Sequence, residues 1–292
     1  MKKSLFKIYK KFVSDLSGSN LSKYGAIQKI NNRINSKLKP DFVIIEGNKM
    51  FLDDKDSLFL SVYGYHEKTE TKVVKKLVNE GDITIDVGAN IGYYTLLLAK
   101  IVGSSGKVIA FEAEPRNFEI LKKNVEENHF ENVIVEKKAV SEKSGVVKFF
   151  IGEDSSTENQ LFKPDVKHSE IEVESISIDE YLQDKDIKVD FIKMDIQGSE
   201  PLVIEGMRKT IEKNKNLKLM MEWWPDAIKK YNIKPDKHLQ ELVSLGFNIF
   251  EIDDNKGTIT KTDVNSLMKK YPNEELVDVN LLLKRDKEIV KI

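Results

Sequence analysis

The segment from residue 86 to residue 95, DVGANIGYYT, combines an acid, an amide and two glycines in one short stretch. It follows the apolar run at 83–85 and leads into a long apolar helix pattern at 93–102. This order predicts a strand, a tight turn and a helix start. Gly88 and Gly92 lack a Cβ, so the turn backbone can pass close to a ligand. A unit of this kind typically binds a nucleotide-like cofactor at the carboxyl end of the first strand of an α/β sheet.

The charge and spacing of this turn favour S-adenosylmethionine (SAM) over a dinucleotide. Its glycines follow G-x-x-x-G, whereas dinucleotide-binding turns use G-x-G-x-x-G. Asp86 would repel a pyrophosphate and attract the ammonium or sulfonium of SAM. A second strand, 107–111, ends at Glu112, where an acid can accept two hydrogen bonds from a ribose diol. The alternative is a packing turn in an α/β sheet, with Glu112 facing solvent.

The predicted cofactor contacts extend beyond the turn. Small apolar residues at 139–140 follow the third strand, where adenine is often enclosed, and Asp86 is expected to meet the amino acid end of SAM through the turn backbone or a water. Glu67 either reaches the methionine carboxylate of SAM through water or is a solvated residue before a helix. The predicted cofactor-binding residues are Asp86, Gly88, Ala89, Asn90, Gly92, Tyr93, Thr95, Glu112, Ala113, Ala139, Val140 and Asp195.

The composition argues against several other kinds of site. The 292 residues carry a net charge of −1, which supplies no global basic field for a nucleic acid backbone. There is no cysteine, so the sequence has no disulfide, thiolate zinc site or cysteine nucleophile. Only four histidines occur, and they are widely spaced. We therefore expect no metal site, although carboxylates alone could hold Mg²⁺.

Strands and helices alternate from residue 82 onward. This alternation predicts an α/β fold with a mostly parallel sheet and helices on both faces. The predicted strands lie at 83–87, 107–112, 133–137, 146–151, 171–178, 189–194, 217–221, 248–252 and 279–283, and the predicted helices at 91–102, 115–128, 179–182, 201–214 and 235–245.

Residues 1–80 are expected to form an N-terminal appendage of helices and a small β-hairpin, and residues 81–292 the SAM-binding domain. The hairpin is predicted on either side of Gly47-Asn48, with 58–60 as a further strand and a helix at 69–79 that Gly81 caps. The polar segment 152–170 is either a lid over the substrate or an ordinary loop.

Two amphipathic helices are predicted before Pro40. The first, at the lysine-rich N-terminus, would either rest weakly on an anionic membrane surface or, as we favour, pack its apolar face on the chain or on a partner subunit. Such helices could pair two copies as a homodimer. Because lysines interrupt the N-terminal apolar residues and no uncharged run approaches 18 residues, we expect neither a signal peptide nor a membrane span, and a cytoplasmic protein.

Several segments, in this order, resemble the FkbM family of SAM-dependent methyltransferases: DVGANIGYYT, FEAEP at 111–115, KAVSEKSGVVKFF at 138–150, SIDEYL at 177–182, DFIKMDIQGSE at 190–200 and NLLLKR at 280–285. The resemblance covers residues 60–285. It implies a class I methyltransferase fold, Rossmann-like, with a seven-stranded mostly parallel sheet whose last strand is antiparallel to its neighbours. It also implies O-methylation of hydroxyls on sugars, polyketides or related products. Gln197 departs from the family pattern D-x-E-G-x-E and removes one negative charge.

Methyl transfer to a hydroxyl requires alignment of the acceptor oxygen, methyl group and sulfur, and a base that takes the hydroxyl proton. Asp195, at the end of a central strand beside the turn, is the first candidate for a catalytic base. Glu200 and Glu222 are alternatives. Lys193 lies two residues before Asp195 on the same side of its strand, so we expect it to pair with Asp195 and keep it charged. The structural alternative is that Asp195 and Glu200 only cap the following helix.

The acceptor has no sequence signature of its own. We expect a hydroxyl of a small molecule or glycan, with Trp223 or Trp224 stacking on a sugar face. The alternatives are a methyltransferase that acts on RNA or protein, and a SAM-binding subunit without catalysis. The chain has no N/D-P-P-Y/F segment to hold a planar amine, and it retains Asp86, Glu112 and Asp195. Both observations favour an O-methyltransferase.

Overall fold

The computed structural model describes residues 5–6, 9–10, 34, 37–152, 159–163, 167–271 and 278–290. After residue 40 the strands are β1 (Phe42–Ile45), β2 (Asn48–Phe51), β3 (Ile83–Val87), β4 (Lys107–Phe111), β5 (Val133–Glu136), β6 (Ala139–Val140), β7 (Gly145–Gly152), β8 (His168–Ile176), β9 (Phe191–Met194), β10 (Lys218–Trp223), β11 (Asn248–Asp253), β12 (Thr258–Thr262) and β13 (Val279–Lys284). The helices are α1 (Leu60–Tyr63), α2 (Lys68–Leu77), α3 (Tyr93–Val102), α4 (Pro115–Glu127), α5 (Ile178–Tyr181), α6 (Glu200–Glu205), α7 (Arg208–Lys213), α8 (Pro225–Lys229), α9 (Pro235–Ser244) and α10 (Val264–Lys270).

The main sheet has eight strands in the order β12-β11-β13-β10-β9-β3-β4-β5. The five strands from β10 to β5 run parallel, whereas β13 is antiparallel to both β10 and β11. The predicted α/β class and the antiparallel last strand are confirmed. The predicted number of seven strands is one too few, because β12 adds an edge strand through a hairpin with β11. In β12 only Ile259 is buried, so its sequence carries little of the apolar pattern by which a strand is recognised.

Alternate residues of the central strands enter two apolar cores, one on each face of the sheet. Phe191 and Met220 belong to the first core, together with residues of α2, α3 and α4. Their sequence neighbours Ile192 and Met221 belong to the second core, with residues of α5 to α10. Because both faces are covered, the carboxyl ends of the parallel strands provide the surface on which a site can open.

The β1–β2 hairpin packs on the main domain rather than standing apart from it. Met50 and Ile45 join the first core. The side-chain oxygen of Asn124 in α4 accepts a hydrogen bond from the backbone N–H of Phe51 at 2.6 Å. The described part of residues 1–80 therefore shares a core with the sheet, and the division at residue 80 stays a prediction. A second small sheet, in the order β6-β8-β7, lies outside the main one.

Two local predictions before β3 are wrong. Residues 58–60 do not form a further strand of the hairpin, because Leu60 begins α1. Gly81 does not cap α2: the helix ends at Leu77 and its cap residue is Val78, whose backbone N–H bonds to the carbonyl of Val74.

The helix predicted at 201–214 is two helices, α6 and α7, that meet at Gly206. The glycine lies so close to another segment that a Cβ on it would be 2.2 Å from the carbonyl oxygen of Ser141. Asp179 does not cap its own helix, since Ser177 caps α5. Asp179 instead accepts the backbone N–H of Thr210, at 2.8 Å, in the first turn of α7.

Much of the predicted N-terminal helix pair, and most of the segment proposed as a lid at 152–170, lie outside the described residues. Tyr9, from the first of these helices, is buried against Val62 and Leu38. No helix within the described ranges is both long and apolar enough to cross a bilayer.

Candidate active site

A cavity of about 470 Å³ opens at the carboxyl ends of β3, β4, β9 and β10. The predicted site residues in its wall are Asp86, Gly88, Ala89, Asn90, Tyr93, Glu112, Ala113, Ala139, Val140, Lys193, Asp195 and Glu222. Three predicted residues, Gly92, Thr95 and Glu200, do not line the cavity. The structure therefore places most of the predicted site residues together in the cavity wall. The other three lie outside the cavity, behind that wall.

Asp86 is held from behind by Thr95. Its carboxylate is 1% exposed, and its Oδ2 accepts the hydroxyl hydrogen of Thr95 at 2.6 Å. Burial raises the pKa of Asp86 to about 6, against the opposing effects of the Thr95 hydrogen bond and the charge of Lys193. Thr95 thus orients Asp86 without reaching the cavity itself.

The glycines of the turn are needed first for contacts inside the protein. Gly88 has φ +77°, and a Cβ on it would lie 2.2 Å from the carbonyl oxygen of Asp195. Gly92 has φ +95°, and a Cβ there would lie 2.7 Å from Leu121. Gly88 makes room for the end of β9 and also lines the cavity, whereas Gly92 makes room for α4 and lies behind the wall. That the two glycines admit a ligand stays a prediction.

Glu112 is fixed by the backbone of two turns. One carboxylate oxygen accepts the N–H of Asn90 at 2.7 Å, and the other accepts the N–H of Glu114 at 2.8 Å. Burial raises the pKa of Glu112 to about 7, although both backbone bonds oppose this change. Each oxygen has a second lone pair, so the carboxylate can still accept two hydroxyls from the cavity.

An apolar part of the cavity adjoins Glu112. Phe111, Ala113, Ala139, Val140 and Phe149 line it. Several of these residues belong to a separate small apolar cluster built on the second sheet. An apolar lining of this kind suits the faces of an adenine ring.

Lys193 and Asp195 form an ion pair in the wall. Lys193 donates from Nζ to Asp195 Oδ2 at 2.9 Å, and its ammonium lies 4.7 Å from the centre of the Tyr94 ring. Burial alone would lower the pKa of Lys193, but the charges of Asp195, Glu67 and Asp86 outweigh it and raise that pKa. Burial would raise the pKa of Asp195, but Lys193 outweighs it and holds that pKa below its usual range. Both side chains are therefore charged at neutral pH.

Glu222, at the end of β10, is shifted in the opposite direction. Burial, together with the charges of Asp195, Glu200 and Asp278, raises the pKa of Glu222 well above its usual range. Glu222 therefore keeps its proton to a higher pH than Asp195 does. Two carboxyl groups whose pKa values are separated in this way are a common arrangement in sites that move protons.

Glu200, predicted as an alternative base, braces the loop after β9. It is fully buried, and its Oε1 accepts the backbone N–H of Ile196 at 3.2 Å. Burial raises the pKa of Glu200 to about 8. Glu200 follows Asp195 by five residues, and this spacing allows its side chain to stabilise the loop between them. This role is similar to the helix-capping role that the sequence analysis gave as the structural alternative for Glu200.

The sequence pattern missed several residues of the wall. Ser57, Leu58 and His66 come from the expected appendage, and Asp278 precedes β13. Glu67 lies beside them and accepts the hydroxyl hydrogen of Tyr94 at 2.7 Å. The string YGYHE at 63–67 offered a signal, since it places aromatic and titratable residues directly before a helix.

The two tryptophans have different positions. Trp223 is fully buried in the second core, whereas Trp224 lines the cavity. Trp224 is therefore the one that can contact an acceptor. Among the described residues no group of three or more histidines and acids could hold a metal ion.

These residues fit SAM. Glu112 presents free lone pairs for a ribose diol, the apolar recess suits adenine, and Asp86 lies beneath the turn where the amino acid end would be held. The sheet order, with β13 antiparallel between β10 and β11, and the site at the ends of β3 and β4 define a class I SAM-dependent methyltransferase.

Comparisons with known proteins agree with this class. The sequence profile of the methyltransferase FkbM domain matches residues 86–249, more than half of the chain. The chain belongs to the FkbM methyltransferase family. Protein-L-isoaspartate O-methyltransferase from Methanococcus maripaludis is 41% identical over 58 residues, which are 20% of this chain and 27% of that protein. The corresponding enzyme 1 from Archaeoglobus fulgidus is 36% identical over 58 residues, with the same coverage. The chain thus aligns with about a quarter of these curated relatives.

Methyltransferases are among the solved structures that are similar to this chain. The methyltransferase FkbM from Methylobacillus flagellatus is 18% identical, with a TM-score of 0.39, and the similarity covers 69% of this chain and 43% of that chain. A SAM-dependent O-methyltransferase from Thermotoga maritima is 14% identical, with a TM-score of 0.44, and the similarity covers 89% of this chain and 83% of that chain.

Proposed function

We propose that the protein transfers the methyl group of SAM to a hydroxyl of a sugar, glycan or other small natural-product acceptor. The observation that carries the proposal is the charged Asp195 in the cavity wall, held by Lys193 at 2.9 Å and close to the cofactor turn. A hydroxyl bound beside Asp195 would lie between this carboxylate and the cofactor.

The reaction needs few protein groups. SAM supplies an electrophilic methyl group, so the acceptor oxygen forms a C–O bond while the C–S bond breaks, and S-adenosylhomocysteine leaves. Asp195 accepts the hydroxyl hydrogen bond, orients the oxygen, and takes the proton as the new bond forms. Lys193 keeps Asp195 ionised before the proton arrives.

The charge of the wall supports an acceptor without phosphates. Its acceptor side carries the acids Glu67, Asp195 and Asp278, and Lys193 is already paired with Asp195. An anionic backbone would be repelled there, which argues against RNA. Trp224 lines the cavity, and an aromatic ring at this place could stack on a sugar. The cytoplasmic location, the homodimer and the weak membrane contact remain predictions.

The first experiment measures cofactor choice and methyl transfer together. Calorimetry of the full chain should detect SAM binding and no tighter binding of NAD. With tritiated methyl-SAM, label should enter neutral oligosaccharides or natural-product alcohols rather than total RNA or added protein. Label in RNA or protein would replace the proposed acceptor class, and SAM binding without any transfer would favour a non-catalytic subunit.

The second experiment tests Asp195. Asp195→Asn should keep SAM affinity and lower kcat by roughly 10²- to 10³-fold, the usual contribution of a general base. Asp186→Asn, the same change at an exposed position, is the matched control. Unchanged turnover in Asp195→Asn would remove Asp195 from the mechanism.

A further inference from the structure

Gln197 lies between the two carboxyl groups of the acceptor side. Its Nε2 is 3.3 Å from Asp195 Oδ1 and 3.1 Å from Glu222 Oε2. The amide nitrogen carries two hydrogens, so it can donate one to each carboxyl group. The sequence shows only that a glutamine stands here; the contact with both acids is visible in the structure alone.

The loop around Gln197 presets where the amide lies. Gln197 has φ 56°, a left-handed conformation that is uncommon for a residue with a side chain. Gly198 follows with φ +92°, and a Cβ on it would lie 2.2 Å from the Cβ of Ala227. Glu200 accepts the N–H of Ile196 from below. Backbone strain held by surrounding contacts is a feature that clusters at functional sites.

A glutamine suits this place for a reason of charge. Asp195 and Glu222 repel each other when both are ionised, and Lys193 lies on the far oxygen of Asp195. Glu200 and Asp278 are further acids near Glu222, and His66 is a titratable group near Asp195. An amide is the group that can donate to both carboxyls without adding a charge, whereas a glutamate would add a third acid between them.

We propose that Gln197 is a positioning residue whose side-chain amide bridges Asp195 and Glu222 and holds these two carboxyl groups beside each other on the acceptor side of the cavity. The inference rests on the proposed function for its catalytic meaning. The bridge itself is a property of the free enzyme and is testable without any acceptor.

The test is a pH titration of the side-chain carboxyl groups by ¹³C NMR, with Asp and Glu labelled and with Asp195→Asn and Glu222→Gln used for assignment. In Gln197→Glu both Asp195 and Glu222 should titrate at higher pH than in the wild type, because a third carboxylate disfavours their ionisation. In Gln197→Ala, Asp195 should also titrate higher, since it loses a hydrogen bond that favours its charged form. Gln240→Glu, on the exposed face of α9, should leave both titrations unchanged.

Binding and turnover complete the test. The affinity for S-adenosylhomocysteine should stay within about twofold in both variants, which also shows that they fold, since Gln197 touches the acceptor side of the wall. Once an acceptor is identified, Gln197→Glu should lower kcat by roughly 10- to 100-fold at neutral pH. This range corresponds to the usual contribution of a hydrogen bond to a charged group. Activity should return toward acidic pH, where the introduced carboxyl group is protonated and can again donate a hydrogen bond.

Unchanged titration of both carboxyls in Gln197→Glu and Gln197→Ala would overturn the inference, even if methyl transfer to hydroxyls were proved. Shifted titrations would support it even if the acceptor were not a hydroxyl compound. The two proposals therefore fail separately. If Gln197→Glu does not fold, Gln197→Ala alone decides the outcome.

Discussion

The turns after β3 and β9 are built alike but hold their acids differently. The first turn, residues 88–92, follows Asp86 and Val87 at the end of β3, and its Asn90 N–H bonds to the buried Glu112. The second turn, residues 195–200, begins with Asp195, and its Ile196 N–H bonds to the buried Glu200. Each is thus a strand-end acid followed by a turn that a second carboxyl group braces.

The difference lies in the partners of the two leading acids. Asp86 is held by the neutral hydroxyl of Thr95, whereas Asp195 is held by the ammonium of Lys193 and the amide of Gln197. The leading acid of the first turn is therefore hydrogen-bonded to an uncharged group, which suits a cofactor that is the same in every turnover. The leading acid of the second turn is paired with a charged group, which suits the proton uptake that we propose for it.

The two turns also touch, and this contact gives the largest expected effect. Gly88→Ala should destabilise the protein by about 3 kcal/mol, because the new Cβ meets the carbonyl of Asp195 and the residue has φ +77°. Urea unfolding and SAM calorimetry measure the loss. Gly64→Ala has a similar φ of +78° and no atom within 4 Å, so it should cost only about 1 kcal/mol. Equal losses of unfolding free energy in Gly88→Ala and Gly64→Ala would show that the close contact between Gly88 and the Asp195 carbonyl does not matter for stability.

The variant Glu112→Gln tests whether Glu112, which accepts a backbone hydrogen bond from the first turn, also binds the cofactor. Glu112→Gln should weaken SAM binding by on the order of tenfold, because the amide replaces one acceptor oxygen with a donor and leaves a backbone N–H unpaired. Glu114→Gln is the control, since Glu114 caps α4 and does not line the cavity. Unchanged SAM affinity in Glu112→Gln would separate Glu112 from the ribose.

Thr95 tests whether Asp86 depends on its neutral partner. Thr95→Val should cost about 1 kcal/mol through the lost hydrogen bond. The folded-state pKa of Asp86 is about 6 against an ordinary 3.8, so the stability from its protonation is complete below 3.8 and is lost as pH rises through 6. The variant raises that pKa further. Urea unfolding at pH 5 and pH 8 should therefore show the larger difference from wild type at pH 8, and an equal difference at both would contradict this role.

Glu200→Gln should have the smallest effect at neutral pH. The folded-state pKa of Glu200 is about 8 against an ordinary 4.5, so the wild type loses stability as pH rises from 4.5 through 8. The variant lacks this loss and should be the more stable protein at pH 9, while its SAM affinity and turnover stay within about threefold of wild type, since its oxygen can still accept the Ile196 N–H. A large loss of turnover would make Glu200 a candidate base again.

Much of the fold could be predicted, because it follows from local patterns. Apolar runs bounded by glycines and acids located the strands that became β3, β4, β9 and β10 within a few residues of their bounds. The strand β12 was missed because only one of its residues is buried, so its sequence shows little of the apolar pattern of a strand. The break at Gly206 was missed because it comes from a contact with the distant Ser141.

The sequence by itself determined the class of the protein. Acids at strand ends, a glycine turn and a family pattern are local features, so they can be recognised in the sequence alone. Only the tertiary structure decided that Gly88 makes room for Asp195, that His66 and Glu67 line the cavity, and that Gln197 bridges two carboxyl groups. The physical reason is strand order. Because β9 lies between β3 and β10, residues far apart in the chain meet at one edge of the sheet, and their charges then set one another's protonation.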